Sequence, residues 1–292
     1  VGKGMIGTIG GGKSKPTGNI DIAVMQSLSR TEEAGALVEN YGQLIIDECH
    51  HLSAFSFEKI LKQAKAKYVL GLTATPIRRD GQQPIIFMQC GPIRHMASTP
   101  ENAPRDLQVL PHRLPATIHL AKDTAIQDIF RHITNDADRT FAIATAIKES
   151  YRQGRNVLVL TERTDHLDAI KNALGEQIDT LFLLHGRLSK KQRSTLIDQL
   201  NSLPDNSARV LLATGKLVGE GFDHPPLDTL ILAMPISWRG TLQQYAGRLH
   251  RDHVNKADLW IIDFIDTGHS VLLRIWDKRQ RGYRAMGYQI TE

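Results

Sequence analysis

The chain has 292 residues, enough for about two domains each with its own core, and its 41% hydrophobic and 23% charged composition is that of an ordinary globular protein. A net charge of +5 and a pI near 9.2 suit a polyanionic partner without requiring one. No apolar run approaches a membrane span and no basic-then-apolar leader opens the chain, which points to a cytosolic protein. The two cysteines, Cys49 and Cys90, lie far apart and form no CxxC, which argues against a disulfide framework or zinc ribbon.

The first motif in chain order is Gly7-Thr8-Ile9-Gly10-Gly11-Gly12-Lys13-Ser14, which matches the phosphate-binding pattern GxxxxGK[ST] letter for letter. That pattern works when the glycine turn opens a helix whose free N–H groups face the phosphates. Here Pro16 and Gly18 follow at once, and Asn19 to Val24 already reads as the next strand. A glycine-rich hairpin or connecting loop is the better reading.

After a helical stretch of roughly Thr31 to Tyr41, the apolar run Leu44-Ile45-Ile46 reads as a buried strand ending in Asp47-Glu48-Cys49-His50. Strand C-terminal ends are where open α/β sheets keep their ligands, although acids there also commonly cap a following helix. A helix of about Phe55 to Lys65 leads to a second buried-strand run, Tyr68 to Leu72, ending in Thr73-Ala74-Thr75-Pro76. Between Pro92 and Pro115 five prolines and few apolar runs read as an interdomain connection, with a boundary near residue 105.

Two helical patterns follow, one with Ile126, Ile129, Phe130 and Ile133 on one face and one from about Asp138 to Gln153. Strands at Asn156 to Thr161, Thr180 to Leu184, Arg209 to Ala213, Thr229 to Leu232 and Leu259 to Asp263 then alternate with helices at Asp165 to Leu174 and Ser189 to Leu200. Ser189 and Gln192 form a capping box for the second of these helices. The alternation predicts a parallel, helix-covered sheet with its chemistry in the strand-end loops.

Three later stretches carry chemistry-bearing residues. His185-Gly186-Arg187 follows one strand, with Lys190, Lys191 and Arg193 on the next helix; a solvated basic helix face explains the lysines about as well as a binding role. Thr214-Gly215 follows another strand and leads to Glu220-Gly221-Phe222-Asp223. Gln244-Tyr245-Ala246-Gly247-Arg248-Leu249-His250-Arg251 has the frame QxxGRxxR, and helical spacing would align Gln244, Arg248 and Arg251 on one side. Arg274, Lys278, Arg279, Arg281 and Arg284, with Trp276 and Tyr283, read as an amphipathic helix packed through Leu272, Ile275 and Trp276, or else as a surface for nucleic acid. His250 and His253 lack the neighbours a metal site needs.

Taken together and in this order, DECH, TAT, EGFD and QxxGRxxR resemble motifs II, III, V and VI of the superfamily 2 DExD/H-box helicases and translocases. The resemblance covers about residues 5 to 265 and implies an α/β fold of two RecA-like parallel-sheet lobes, the first incomplete at its N-terminus. Residues 1–105 would be the later part of lobe 1 with a linker, and residues 106–292 lobe 2. In that case the P-loop lysine lies upstream of Val1 and the isolated chain is inactive.

The resemblance implies ATP and Mg2+ as cofactors bound between the lobes. Asp47 would hold Mg2+ through its water shell, Glu48 would activate the attacking water, and His50, Thr73 and Thr75 would couple hydrolysis to movement. Gln244, Arg248 and Arg251 would act on the γ-phosphate, and Gly221 and Asp223 would meet the nucleotide ribose side. His185, Gly186, Arg187, Lys190 and Thr214 would touch nucleic acid. The Glu-Gly-x-Asp form departs from the Arg-Gly-x-Asp of RNA-type DEAD-box proteins and favours DNA, in a repair or restriction setting with a possible nuclease, methylase or primase partner. An idle nucleic-acid-binding scaffold, or a kinase-like enzyme using Lys13, are the rival readings.

Overall fold

A computed structural model describes residues 4–30, 34–49, 55–73, 83–97, 104, 106–115, 120–219, 222–236, 239–253 and 256–291. They fall into two units, Val1–Ser98 and Thr99–Glu292.

In the first unit, β1 (Ile6–Gly10) and β2 (Lys13–Lys15) form an antiparallel hairpin, and β3 (Ile20–Ala23) runs parallel beside β1. The turn passes through Gly11 and Gly12 at φ of 60° and 79°, a left-handed geometry that glycine adopts without steric cost. Lys13 therefore opens a strand, and the first helix after it, α1 (Met25–Leu28), lies beyond β3. The phosphate-binding pattern is a hairpin, as its proline and glycine neighbours predict.

The chain continues through α2 (Ala34–Glu39), β4 (Gln43–Ile46), α3 (Phe55–Leu61), β5 (Tyr68–Gly71) and α4 (Gln83–Cys90). β4 and β5 pair in parallel, with Ile46 opposite Gly71. Both were expected to be buried strands, but only one face is covered: Ile46 is buried, whereas Ile45, Tyr68 and Leu70 are exposed by 62%, 59% and 46%. A continuous apolar run is the signature of a strand covered on both faces. Among the described residues nothing covers the second face.

The second unit contains β6 (Asp106–Leu114), α5 (Ile126–Asn135), α6 (Ala137–Arg152), β7 (Asn156–Thr161), α7 (Thr164–Leu174), β8 (Leu181–Leu184) and α8 (Lys190–Asn201). These are followed by β9 (Arg209–Thr214), α9 (Gly215–Gly219), β10 (Thr229–Leu232), α10 (Arg239–Ala246), β11 (Asp258–Asp266), α11 (Ser270–Ala285) and β12 (Gln289–Ile290). The sheet runs β12-β6-β11-β10-β7-β9-β8, and every pairing in it is parallel. The central strands β7, β9 and β10 are buried throughout, which is why they read as unbroken Val, Leu and Ile. The Ser189–Gln192 capping box opens α8, and Asp136 caps α6 by accepting from the Arg139 N–H.

One expectation fails here. The proline-rich connection was extended to Pro115, yet nine of its residues form β6 against the full length of β11. Pro111 is tolerated because β12 pairs only with Gln108 and Val109, leaving β6 as the sheet edge at the proline.

Buried ion pairs bind β11 to the helices. Arg279 of α11 donates to Asp263 at 2.6 Å and Tyr283 donates to the same carboxylate at 2.7 Å. Arg139 of α6 donates to Asp266 at 2.7 Å and to the Ala233 carbonyl at 2.6 Å. Leu272, Ile275 and Trp276 pack inward as expected of an amphipathic α11. Arg279 and Tyr283, counted with its basic aromatic surface, are buried and serve the interior instead. Replacing one partner leaves a buried charge uncompensated, so Asp263→Asn is expected to lower the unfolding free energy of the second unit by about 3–5 kcal/mol in urea titration. A loss below about 1 kcal/mol would show that the pair does not hold α11.

Candidate nucleotide and nucleic-acid site

Asp47 and Glu48 follow directly from β4, and Leu72 and Thr73 from β5, so the register places these two strand ends side by side. Leu72 N–H donates to the Ile46 carbonyl and Cys49 N–H donates to the Leu72 carbonyl, both at 2.9 Å, which carries the pairing past the strands. Between these bonds Glu48 takes φ of 49°, the one non-glycine with positive φ among the described residues. Its N–H donates to Asp47 Oδ1 at 2.9 Å. Such geometry is costly for a side chain with a Cβ and recurs at functional sites. The Asp47 side chain is exposed and Glu48 and Thr73 are partly so. His50, Thr75 and Gly221, also expected at the site, lie outside the described residues.

In the second unit the parallel sheet delivers every strand C-terminus to one edge. β8 and β9 are neighbours, with Leu184 opposite Ala213, so His185-Gly186-Arg187 emerges next to Thr214. Arg187 donates to the Thr164 hydroxyl at 2.6 Å and reaches Asp168 at 3.4 Å, so α7 holds this guanidinium. Lys190 is exposed at the start of α8, and Thr214 is 91% buried, with 9% of its surface exposed, at the end of β9.

The QxxGRxxR stretch departs from its expected geometry. α10 stops at Ala246, so Gln244 is helical while Arg248 and Arg251 lie beyond. Bonds from Arg248, Leu249 and His250 to the residues three before them tighten the chain into turns. Gly247, the poorest helix former short of proline, stands where the change occurs. Lys256 then donates to the carbonyls of Leu249 and Arg251 at 2.7 and 2.8 Å. Burial lowers its ammonium to about 8. Arg251 pairs with Asp223 at 3.0 Å, which brings the EGFD and QxxGRxxR stretches together at a half-exposed ion pair.

Two participants were missed in the sequence. Lys256 is a lone lysine in a loop with no pattern to reveal it. Glu162, just after β7, accepts from the Tyr245 hydroxyl of α10 at 3.2 Å, and burial raises its carboxyl above the usual range. Its position at a strand end was the only available signal.

His250 bonds to the Tyr288 hydroxyl at 3.0 Å and His253 lies 3.6 Å from Asp205. No group of three or more metal-ligating side chains occurs among the described residues. No helix among them is long and apolar enough to cross a membrane.

Known proteins resemble this chain in both units. Residues 3–78 match the family described as Type III restriction enzyme, res subunit, and residues 140–253 match the helicase conserved C-terminal domain. The chain is 25% identical over 282 residues to "Putative ATP-dependent RNA helicase L396" of Acanthamoeba polyphaga mimivirus, covering 93% of this chain and 52% of that protein. It is 27% identical over 293 residues to "Probable helicase D10" of Escherichia phage T5, covering 97% of this chain and 61% of that protein. Saccharomyces cerevisiae Dbp5 bound to RNA and ADP BeF3 shares the fold with a TM-score of 0.60 at 13% identity, over 99% of this chain and 71% of that one. The chain is thus similar in both units to superfamily 2 helicases, and its mixed α/β fold is that of the two-lobed RecA-like helicases. It spans roughly half to three-fifths of the length of these curated relatives.

Two buried imidazoles set a pH limit on the second unit. Burial, then the Arg139 charge, lowers His166 to about 3, and burial, then Arg209, lowers His224 to about 4. Both folded values lie below the unfolded one near 6.5, so the unfolded chain takes up protons first as pH falls. Their stability is complete above about pH 6.5 and fades toward pH 4, where each is expected to have cost about 3 kcal/mol. Denaturation midpoints at pH 7 and 4.5 check this, and His224→Gln should flatten the difference.

Proposed function

We propose that this chain is part of an ATP-driven helicase or translocase that moves along nucleic acid. The observation that carries the reading is the pair of strand ends bearing Asp47-Glu48 and Thr73, with Glu48 held at a strained φ. The lobe 1 segment (1–105) supplies motifs II and III, and lobe 2 (106–292) supplies motifs V and VI. Glu48 orients or deprotonates the attacking water. Arg248 and Arg251 stabilise the charge developing on the γ-phosphate oxygens, since a guanidinium stays charged and donates in a planar fork. Gln244 positions the same phosphate, and His50, Thr73 and Thr75 couple the reaction to movement.

Asp47 fits a Mg2+ site of the open kind. Its exposed carboxylate offers hard oxygen donors, and Mg2+ with a nucleotide is commonly held by one or two carboxylates, waters and phosphates. Bound there through water, the ion would neutralise phosphate charge. Asp223 and Gly221 serve the ribose, and the Asp223 pairing with Arg251 supports a shared role for the two stretches. His185, Gly186, Arg187, Lys190 and Thr214 form the track for the strand. The EGFD form and the restriction-enzyme family match support DNA, against relatives whose names specify RNA. The hairpin at Lys13 supports a P-loop supplied from outside this chain, leaving the isolated chain inactive.

In the longest natural protein containing this sequence, Glu48→Gln is expected to abolish nucleic-acid-stimulated phosphate release while ATP still binds. Arg248→Ala and Arg251→Ala should each lower turnover by about 10³. Normal turnover in Glu48→Gln would remove the assignment. Single-stranded DNA should stimulate more than RNA of the same sequence, and the opposite result would reassign the substrate. Calorimetry of this chain with Mg-ATP should give the same weak or absent signal in Lys13→Ala; tight binding lost in that variant would restore the kinase-like reading.

A further inference from the structure

Cys49 and Cys90, remote in sequence, converge in the first unit. Cys49 is the residue after Glu48 and is 3% exposed; Cys90 ends α4 and is partly exposed. Both sulfurs crowd Gly71 of β5: a Cβ there would stand 3.0 Å from Cys49 Sγ and 2.9 Å from Cys90 Sγ. Two atoms that close to one point are less than about 6 Å apart, and the two thiols lie within hydrogen-bonding reach of each other. Their surroundings are apolar, with Ile46 and Ile86 buried beside them and Val69 and Leu61 packed against the group. Gly71 has no positive φ to account for it, so close approach of the sulfurs is what a glycine serves at this point in the strand.

We propose that Cys49 and Cys90 form a reversible disulfide that ties the turn carrying Asp47 and Glu48 to α4. The co-reactant is a small-molecule disulfide of the glutathione class. The partly exposed Cys90 attacks it, forming a mixed disulfide and releasing one small thiol. Cys49 then attacks Cys90 Sγ, forming the internal S–S bond and releasing the second small thiol. Overall two protein thiols are oxidised, one small disulfide is reduced to two thiols, and the protein loses two hydrogens. The second attack is favoured because the sulfurs are already close together. The cross-link does not depend on the proposed ATP chemistry.

The test isolates the second step in this chain. Cys90 is capped as the mixed disulfide with oxidised glutathione, and ring closure is followed by release of glutathione and by peptide mass mapping. Closure in the native chain is expected at least about tenfold faster than in urea, where only chain diffusion brings the residues together. The product should be a Cys49–Cys90 peptide pair that dithiothreitol separates. Cys49→Ser should hold the mixed disulfide indefinitely, and Gly71→Ala should slow closure by moving the sulfurs apart. Closure no faster in the native chain than in urea, or a native chain that stays capped, would overturn the proposal.

Discussion

A parallel sheet cannot be closed by hairpins. Each strand must return through a crossover to start again at the same side, so all its C-terminal ends gather on one edge. This constraint places His185 beside Thr214, although 29 residues separate them in sequence (214 minus 185), because β8 and β9 are neighbours in parallel register. It places Asp47 beside Leu72 in the same way through β4 and β5. The geometry also dictates where tethers are needed. β11 lies between β6 and β10, and its Asp263 and Asp266 are the points at which α11 and α6 are fixed to the sheet. Buried in this way, each charge would be left uncompensated if its helix moved away, which ties α11 and α6 to these two points.

The turn after α10 shows a second level of control. Ending the helix at Ala246 frees carbonyls that a longer helix would have consumed. Lys256 takes up two of them, at Leu249 and Arg251, and so fixes the backbone from which the Arg251 side chain reaches Asp223. Burial of that ammonium is offset by two short bonds to carbonyl oxygens. The position of the arginine is thus set by main-chain contacts outside the motif that contains it.

Much of this was legible in the sequence because local and global signals agreed. The alternation of strands and helices from Asn156 onward, the Ser189–Gln192 capping box and the inward Ile129 and Ile133 of α5 follow from periodicity and capping chemistry, whereas Ile126 of the same pattern is exposed at the helix start. The hairpin at Lys13 was readable because Pro16 and Gly18 left no room for a helix. Other features depend on partners that no local pattern names. β6 was hidden by prolines that only an edge position tolerates. The exposure of Ile45 and Leu70 reflects what does not cover them, and a run of apolar residues cannot report that. Helical spacing put Arg248 and Arg251 on one face, whereas Gly247 ends the regular helix before either. The Thr164 and Asp168 partners that orient Arg187 sit on a helix that precedes it, and no local pattern names them. Cys49 and Cys90 looked independent because 41 residues separate them (90 minus 49), and it takes both the β4–β5 pairing and the packing of α4 against β5 to bring them together.

Gly215 shows why motif membership and chemical role need separate arguments. It follows Thr214, where a phosphate contact would explain a residue without a side chain. Yet a Cβ at Gly215 would stand 2.0 Å from the Tyr245 hydroxyl and 2.4 Å from Glu162 Oε1. Those two groups are the hydrogen-bonded pair linking α10 to the end of β7. Close packing among three strand-end elements is sufficient reason for glycine here. Any larger residue would displace the Tyr245 hydroxyl or the Glu162 carboxylate and so disturb the bond between them. The glycine thus leaves room for the side-chain bond that joins α10 to the end of β7.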